Sequence, residues 1–363
     1  MLFDELAPQE NAPRLVGIAK LAREGETLAE KAQVRYAELP TRRYITRCSS
    51  PRMPFSFTIN PYRGCEFGCK YCYARYTHEF MELRQSEQFE NEIFAKQWNA
   101  AAFRAELRRI PRDEHIAIGT ATDPYQPAER RYGLTRRMLE LFAAERGLRL
   151  SITTKSDLIA RDTALLCEVT RRNVVYIHMT ITTLDARLAR LLEPRAPRPD
   201  LRLSAVRTLA GAGIPVGVFS SPILPGMNDK AEELLALAME AKRCGAIHFG
   251  GAPLFLKPCA AKVFLPFVAR EFPALAAAYQ RQFGQRAYRP ESSKERVSER
   301  VRAAREAAGL SLRPIEYTLA EWDREEQLSL FADKEPPPSF QPRVAGAIDL
   351  WEERADGRTI DAA

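Results

Sequence analysis

Three cysteines stand within eight residues, Cys65, Cys69 and Cys72, in the stretch NPYRGCEFGCKYCYAR (residues 60–75). Thiolates are soft ligands, and so dense a group is suited to holding metal or to redox chemistry. The spacing Cys-x3-Cys-x2-Cys narrows the choice. A structural zinc site takes four ligands, usually in two separated pairs, and no second CxxC occurs in the chain. A redox CxxC would leave Cys65 without a task, and ferredoxin runs space their cysteines differently and add a fourth. Three thiolates can hold three irons of a cubane [4Fe–4S] cluster and leave the fourth iron open. An open metal position is what distinguishes catalytic from structural metal sites.

The elements that must position this loop alternate along the chain. Strand-like runs are SFTIN (56–60), HIAIGTA (115–121), LRLSITT (148–154), NVVYIHMTI (173–181), IPVGVFS (214–220) and AIHFGG (246–251). Helical patterns lie between them: YARYTHEFMEL, GLTRRMLELFAAERG, DLIARDTALLCEVTRR, PDLRLSAVRTLAGAG and NDKAEELLALAMEAKRCG. In the second of these, Leu134, Met138, Leu141 and Phe142 share a face. Glycines at 147, 211 or 213, and 245 suit helix C-caps. Six βα units imply a parallel α/β sheet, either open and doubly wound or closed toward a barrel, and periodicity does not separate the two. In both, the loops after the strands' C-terminal ends form the site.

Around this core the composition shifts. Residues 1–50 form a polar N-terminal extension with a helix expected near 24–36, and residues 51–285 are the core. Residues 286–313 read as a basic helix with a capping box from Ser292 to Glu295. Residues 314–363 form an acidic, Pro-containing tail expected to be flexible. That tail carries five Lys and Arg against twelve Asp and Glu, so of a net charge of +7 the remainder holds +14. A body so basic suits a polyanion such as nucleic acid, although an Arg-rich soluble surface gives the same count. No apolar run is long enough for a membrane span, and the N-terminus MLFDELAPQENAPR lacks the apolar core of a secretory signal. With an odd number of cysteines, seven, and three of them clustered, the expectation is a cytoplasmic protein rather than a secreted disulfide scaffold.

With an aromatic residue, Tyr71, directly before the third cysteine and the motif following the first strand, the loop resembles the signature of the radical S-adenosylmethionine (SAM) superfamily. The longer string NPYRGCxxGCxYCYAR is similar to the spore photoproduct lyase-like subgroup, often labelled "DNA repair photolyase". Further matches are GTATDPYQPAER (119–130), TTKSDLIARD (153–162), LEPRAPRP (192–199) and SPILPGMND (221–229). The resemblance covers roughly residues 45–285. It implies a partial (β/α)6 TIM-like barrel and a [4Fe–4S] cluster whose open iron chelates SAM. Reductive cleavage would then give a 5′-deoxyadenosyl radical, with an electron donor of flavodoxin or ferredoxin type.

Carried over residue by residue, the resemblance makes Cys65, Cys69 and Cys72 the cluster ligands, with Gly64 and Gly68 letting the loop wrap closely. Tyr71 matches an aromatic near the adenine. Thr122 and Asp123 occupy the place where the superfamily often has a Gly-Gly-Glu stretch, and the acidic pair is missing here. With Asp123, the polar residues Tyr125, Gln126 and Glu129 could line the site, with a capped βα turn as the alternative. Lys155 and Arg195 are the cations assigned to the SAM carboxylate. Thr180 and Thr182 are placed at the ribose, and Gly226 in the loop against the adenine. Spore photoproduct lyases use a cysteine hydrogen donor some tens of residues after the motif, yet no cysteine lies between Cys72 and Cys167. By location, Cys259 or Tyr125 would have to serve, or the chemistry differs. The four histidines share no spacing and read as core residues.

A second signal lies in the tail. Gln327-Leu328-Ser329-Leu330-Phe331 resembles the pentapeptide with which bacterial repair and replication proteins dock on the DNA sliding clamp. These features favour a radical SAM enzyme acting on nucleic acid, by base repair or modification. The same core could serve a peptide, protein or small metabolite, and a cluster-bearing sensor without turnover is the reading from another class.

Overall fold

All six strand-like runs form strands, and they lie side by side in chain order. The computed structural model describes residues 15–312 apart from residues 26, 32, 33, 52, 286 and 288–290. Its central strands are β1 (Phe57–Ile59), β2 (His115–Ile118), β3 (Arg149–Thr154), β4 (Val174–Thr180), β5 (Val216–Ile223) and β6 (His248–Pro253). Each neighbouring pair is parallel. A doubly wound sheet reverses its order at a switch point, and this one does not. The unbroken order is that of a barrel wall. An antiparallel strand, Ile45–Arg47, covers the free edge of β1, while His248 of β6 makes a parallel bridge to Ser311. Among the described residues β1 and β6 do not pair, so the (β/α)6 barrel stays partial.

Alternation along the strands divides the wall into two faces. On β4, Val175, Ile177 and Met179 pack outward with Leu166 and Val169 of helix Thr163–Arg172 and Val206 and Leu209 of helix Pro199–Gly211. Tyr176, His178 and Thr180 therefore face the lumen. Helix Leu134–Ala144 buries Leu134, Met138 and Phe142 as expected, but Leu139 rather than Leu141 completes the buried face. Of the two candidate capping glycines, Gly213 takes the left-handed conformation (φ 78°), and Gly211 is the last helical residue.

The N-terminal region departs from expectation. Where one helix was expected over 24–36, a helix spans Gly17–Glu24 and strands span Thr27–Lys31 and Val34–Leu39. VRYAEL buries Val34 and Tyr36 and exposes Arg35, which is strand period rather than helix period. Val34–Leu39 pairs in parallel with Glu92–Lys96, which pairs antiparallel with Tyr62–Arg63. This second, four-stranded sheet thus ends on the two residues that precede Gly64. Nothing in the alternating βα pattern signals Glu92–Lys96, and the single helix expected at YARYTHEFMEL is a 3-10 turn, Tyr73–Arg75, followed by the short helix Tyr76–Glu79.

At the other end, helix Glu291–Ala307 buries Val297, Val301 and Ala304 in the barrel's outer core. It begins at Glu291, so Ser292 stands inside its first turn and not at its N-cap. The segment from 313 onward, including Gln327–Phe331, lies outside the described residues. Among the described helices none is long and apolar enough to cross a membrane.

Candidate active site

The cysteine loop leaves β1 through Tyr62–Arg63 and is bracketed by two distant segments. On one side Cys65 N–H donates to Phe89 O (2.9 Å); on the other Lys70 N–H donates to Leu192 O (2.9 Å) and Arg195 N–H donates to Phe67 O (3.2 Å). Gly64 (φ 79°) has no room for a side chain, since a Cβ there would stand 2.7 Å from Glu92 O and 2.9 Å from Phe89 O. Beneath the loop Arg75, buried, donates to Cys69 O (3.1 Å) and Ser86 O (2.6 Å) and pairs with Glu90. The loop's backbone conformation is therefore set by partners rather than by its own propensity.

The three thiols are free and sit among Phe67, Leu192, Leu224 and Ala260. Burial pushes all three up from the ordinary thiol value, and for Cys65 the nearby Asp123, Cys69 and Cys72 add to the rise. Neutral thiols crowded in an apolar pocket suit a group that displaces their protons on binding. Among the described residues no three His, Cys, Asp or Glu side chains draw as close as one metal ion requires. A single ion at the ~2.3 Å of a zinc–sulfur bond would hold its sulfurs within roughly 4 Å of one another, a condition a four-iron cluster does not impose. The donor set and its glycine-bounded loop fit such a cluster.

Next to the thiols lies a buried polar network. Tyr71 Oη donates to Glu193 and stands 3.2 Å from Thr182 Oγ1, which itself donates to Glu193 Oε1 (2.5 Å). Arg202 pairs with the second carboxylate oxygen and donates to Thr180 O (3.1 Å). Lys155 Nζ lies 3.6 Å from Glu193 Oε1 and 5.8 Å from the Tyr71 ring centre. Burial alone would raise the Glu193 carboxyl, but Arg202, Lys155 and the hydrogen bonds from Thr182 and Tyr71 outweigh it and hold the group at about 2. The network is thus an ionised carboxylate with one fully buried cation and one, Lys155, still 15% exposed.

Several expected contacts are committed to the scaffold instead. Thr122 Oγ1 donates to Gly64 O (2.6 Å), and Gln126 joins both Gly64 O and Glu66 N–H (3.0 Å each). Asp123 accepts from Tyr125 N–H (2.9 Å), Thr154 Oγ1 (2.7 Å) and Lys155 N–H (2.7 Å). Glu129 accepts from Tyr62 Oη (2.5 Å) and from the N–H groups of Thr135 and Arg136, closing the turn before Leu134–Ala144. The capped turn is what this segment builds. Tyr125 is wholly buried in the barrel's outer core, a different apolar cluster from that of the cysteines, which removes it from the place of a hydrogen donor. The exposed Arg195 side chain reaches Glu90 O (3.3 Å) and Asn91 Oδ1 (3.1 Å) rather than the Lys155 network. Gly226 (φ 75°) turns the chain after β5 against Leu275. Cys259 is half-buried in the first turn of helix Pro258–Glu271.

Two central groups were missed by sequence reasoning, Glu193 and Arg202. A signal for the second existed: Arg202, Val206 and Leu209 share a helical face at i, i+4 and i+7, and an arginine on an apolar face requires a buried anion.

Known proteins are similar to this chain in sequence and in fold. The radical SAM superfamily model matches residues 59–238. Uncharacterised proteins of Mycobacterium bovis and Mycobacterium tuberculosis are 36% identical over 250 residues, covering 69% of this chain and 73% of theirs. A protein of Methanocaldococcus jannaschii is 30% identical over 177 residues, 48% of this chain and 62% of its own. Among solved structures, spore photoproduct lyase complexed with dinucleoside spore photoproduct shares the fold at a TM-score of 0.54 and 17% identity, covering 74% of this chain and 78% of that one. With three thiols on the loop after the first strand of a partial (β/α)6 wall, the chain belongs to the radical SAM superfamily, whose members use a [4Fe–4S] cluster and SAM.

Proposed function

We propose that this radical SAM enzyme acts on nucleic acid, repairing or modifying a base. The observation that carries the catalytic reading is the thiol triad beside the buried Glu193 network at one end of the strand wall. Cys65, Cys69 and Cys72 would hold the cluster, and the bound pair of cluster and SAM supplies a carbon-centred radical after one-electron reduction. The chain's own part is binding and orientation. Lys155 Nζ, held by Glu193 on a side chain that is not fully buried, is the cation for the SAM carboxylate. Thr182 shares Glu193 Oε1 with it, the Thr180 carbonyl accepts from Arg202, and Tyr71 fixes the loop through Glu193 while its ring faces Lys155. The surrounding apolar residues exclude water from a reactive intermediate.

Support for nucleic acid comes from the +14 body, from the clamp-like Gln327–Phe331 and from a fold shared with a protein captured on a dinucleoside. The acidic tail would tether the enzyme to the sliding clamp, and a flavodoxin- or ferredoxin-type protein would deliver the electron. Because no cysteine lies between Cys72 and Cys167, Cys259 is the thiol left near the mouth as a hydrogen donor. The test is anaerobic: reconstituted protein, dithionite and SAM, with 5′-deoxyadenosine measured with and without single-stranded and duplex DNA and RNA. Nucleic acid should raise the yield several-fold. Equal yields with every nucleic acid, together with stimulation by peptides or metabolites, would replace the substrate class and leave the radical chemistry standing.

A further inference from the structure

Three of the four histidines stand on alternate strands of the wall: His115 on β2, His178 on β4 and His248 on β6. His178 faces the lumen, and its ring stacks on Phe219 of β5, with centroids 4.5 Å apart and planes at 8°. His178 Nδ1 lies 3.0 Å from His248 Nε2. Two glycines make the room: a Cβ on Gly217 would fall 2.1 Å from the His248 ring, and one on Gly250 would fall 2.9 Å from Phe219. Register places Gly217 beside both histidines and Gly250 beside Phe219, so all of these groups share one face. Thr153 pairs with His178, and Lys155 follows two residues later, just past the end of β3. The His178 level is thus one step of strand, about 7 Å, below the backbone of Lys155.

The proton positions follow from burial. His248 Nδ1 is buried and has no partner among the described residues. An orphaned buried N–H is rarer and costlier than an orphaned lone pair. His248 therefore carries its proton on Nε2 and donates it to His178 Nδ1. A neutral imidazole that accepts at Nδ1 carries its own proton at Nε2. Both rings are neutral near pH 7, since burial lowers His178 well below its ordinary value and lowers His248 to about 4. His178 is half-buried, and its Nε2 has no protein partner among the described residues.

We infer that this lumen face seats the heterocycle of the substrate, with His178 Nε2–H donating a hydrogen bond to an acceptor edge of a nucleobase while Phe219 fixes the imidazole plane. The identity of the heterocycle rests on the nucleic-acid reading; the donor and its polarity do not. His178 is then a specificity residue, because a fixed donor accepts a ring carbonyl or ring nitrogen and rejects an amino group at that point.

With only four histidines, ¹⁵N imidazole spectra of the full chain with its oxidised cluster resolve the tautomer. His178 should remain the Nε2–H form from pH 6 to 8 and shift when thymidylyl-thymidine is added; an Nδ1–H tautomer overturns the assignment. Equilibrium dialysis of the SAM-loaded chain with thymidylyl-thymidine gives the second arm. His178→Phe should weaken binding about tenfold, the loss of one hydrogen bond, and His178→Gln, which keeps an N–H donor, should recover most of it. Binding unmoved by His178→Phe overturns the seat alone. Failure of the wild-type chain to bind the dinucleotide overturns the heterocycle together with the nucleic-acid reading.

Discussion

The strand wall and the cysteine loop are built on opposite principles. The wall is held by backbone ladders and by aliphatic side chains whose alternation is local, as in Val175, Ile177 and Met179. The loop has two residues of strand, Tyr62–Arg63, and otherwise depends on partners far away in sequence: Phe89 on one flank, Leu192 and Arg195 on the other, Thr122 and Gln126 above. A wall of this kind tolerates volume-conserving change. A loop fixed by a few buried polar contacts does not, because each lost partner leaves a desolvated group behind. Chemistry sits on the second kind of structure because its geometry is set from outside.

The most severe break of that contrast is removal of a thiol. Cys65→Ala, Cys69→Ala or Cys72→Ala, each alone, should abolish the iron chromophore and reduce 5′-deoxyadenosine formation to background while the fold survives. Iron analysis, visible absorbance and circular dichroism check this. A single variant that keeps a full cluster would show that the loop does not need all three.

Next comes the buried ion pair. Arg202→Met leaves the Glu193 carboxylate without its buried cation, and removing one partner of such a pair costs about 3–5 kcal/mol, read as a fall in the urea midpoint. Adding Glu193→Gln should restore part of the loss. The same carboxylate sets an acid limb. Its folded value of about 2 lies below the ordinary 4.5, so its contribution is complete above roughly pH 5 and is lost as pH falls toward 2. Glu193→Gln should lack that limb; an unchanged acid midpoint would mean that the charge is not what Arg202 holds.

Gly64→Ala comes third. A positive φ combined with two backbone oxygens within 3 Å of the new Cβ should cost about 2 kcal/mol, concentrated in the loop. Cluster occupancy should fall more than global stability does. Equal losses in both would dissolve the distinction between loop and wall.

How much of this was legible follows the same division. VVYIHMT carries its own alternation, so the strands and the loop's position could be read, and the Cys-x3-Cys-x2-Cys spacing needed only three residues of one type. Barrel against doubly wound sheet is a matter of which strands pair, and periodicity holds no such information. Glu193 and Arg202 escaped because a buried ion pair joins residues that no local pattern relates to Tyr71, 122 residues from Glu193. The capped turn at Asp123 and Glu129 stayed one of two readings because a carboxylate that closes a βα turn and one that lines a site share the same sequence neighbourhood. The three lumen histidines have no shared spacing, since alternate strands of a barrel are separated by whole βα units.

The smallest effect is the most exacting check on the contrast. Ile177→Val removes one methylene from the outer face of β4, where the side chain is wholly buried, and should cost about 1 kcal/mol. Its neighbour His178 points the other way, into the lumen, so a purely outward loss should leave cluster content, SAM cleavage and dinucleotide affinity unchanged. The comparison with Gly64→Ala then carries the argument: the smaller stability loss leaves the chemistry intact, and the larger one, in the loop, removes it. If Ile177→Val instead lowered iron content in proportion to stability, wall and loop would be one cooperative unit, and the externally fixed loop would be the wrong description of this site.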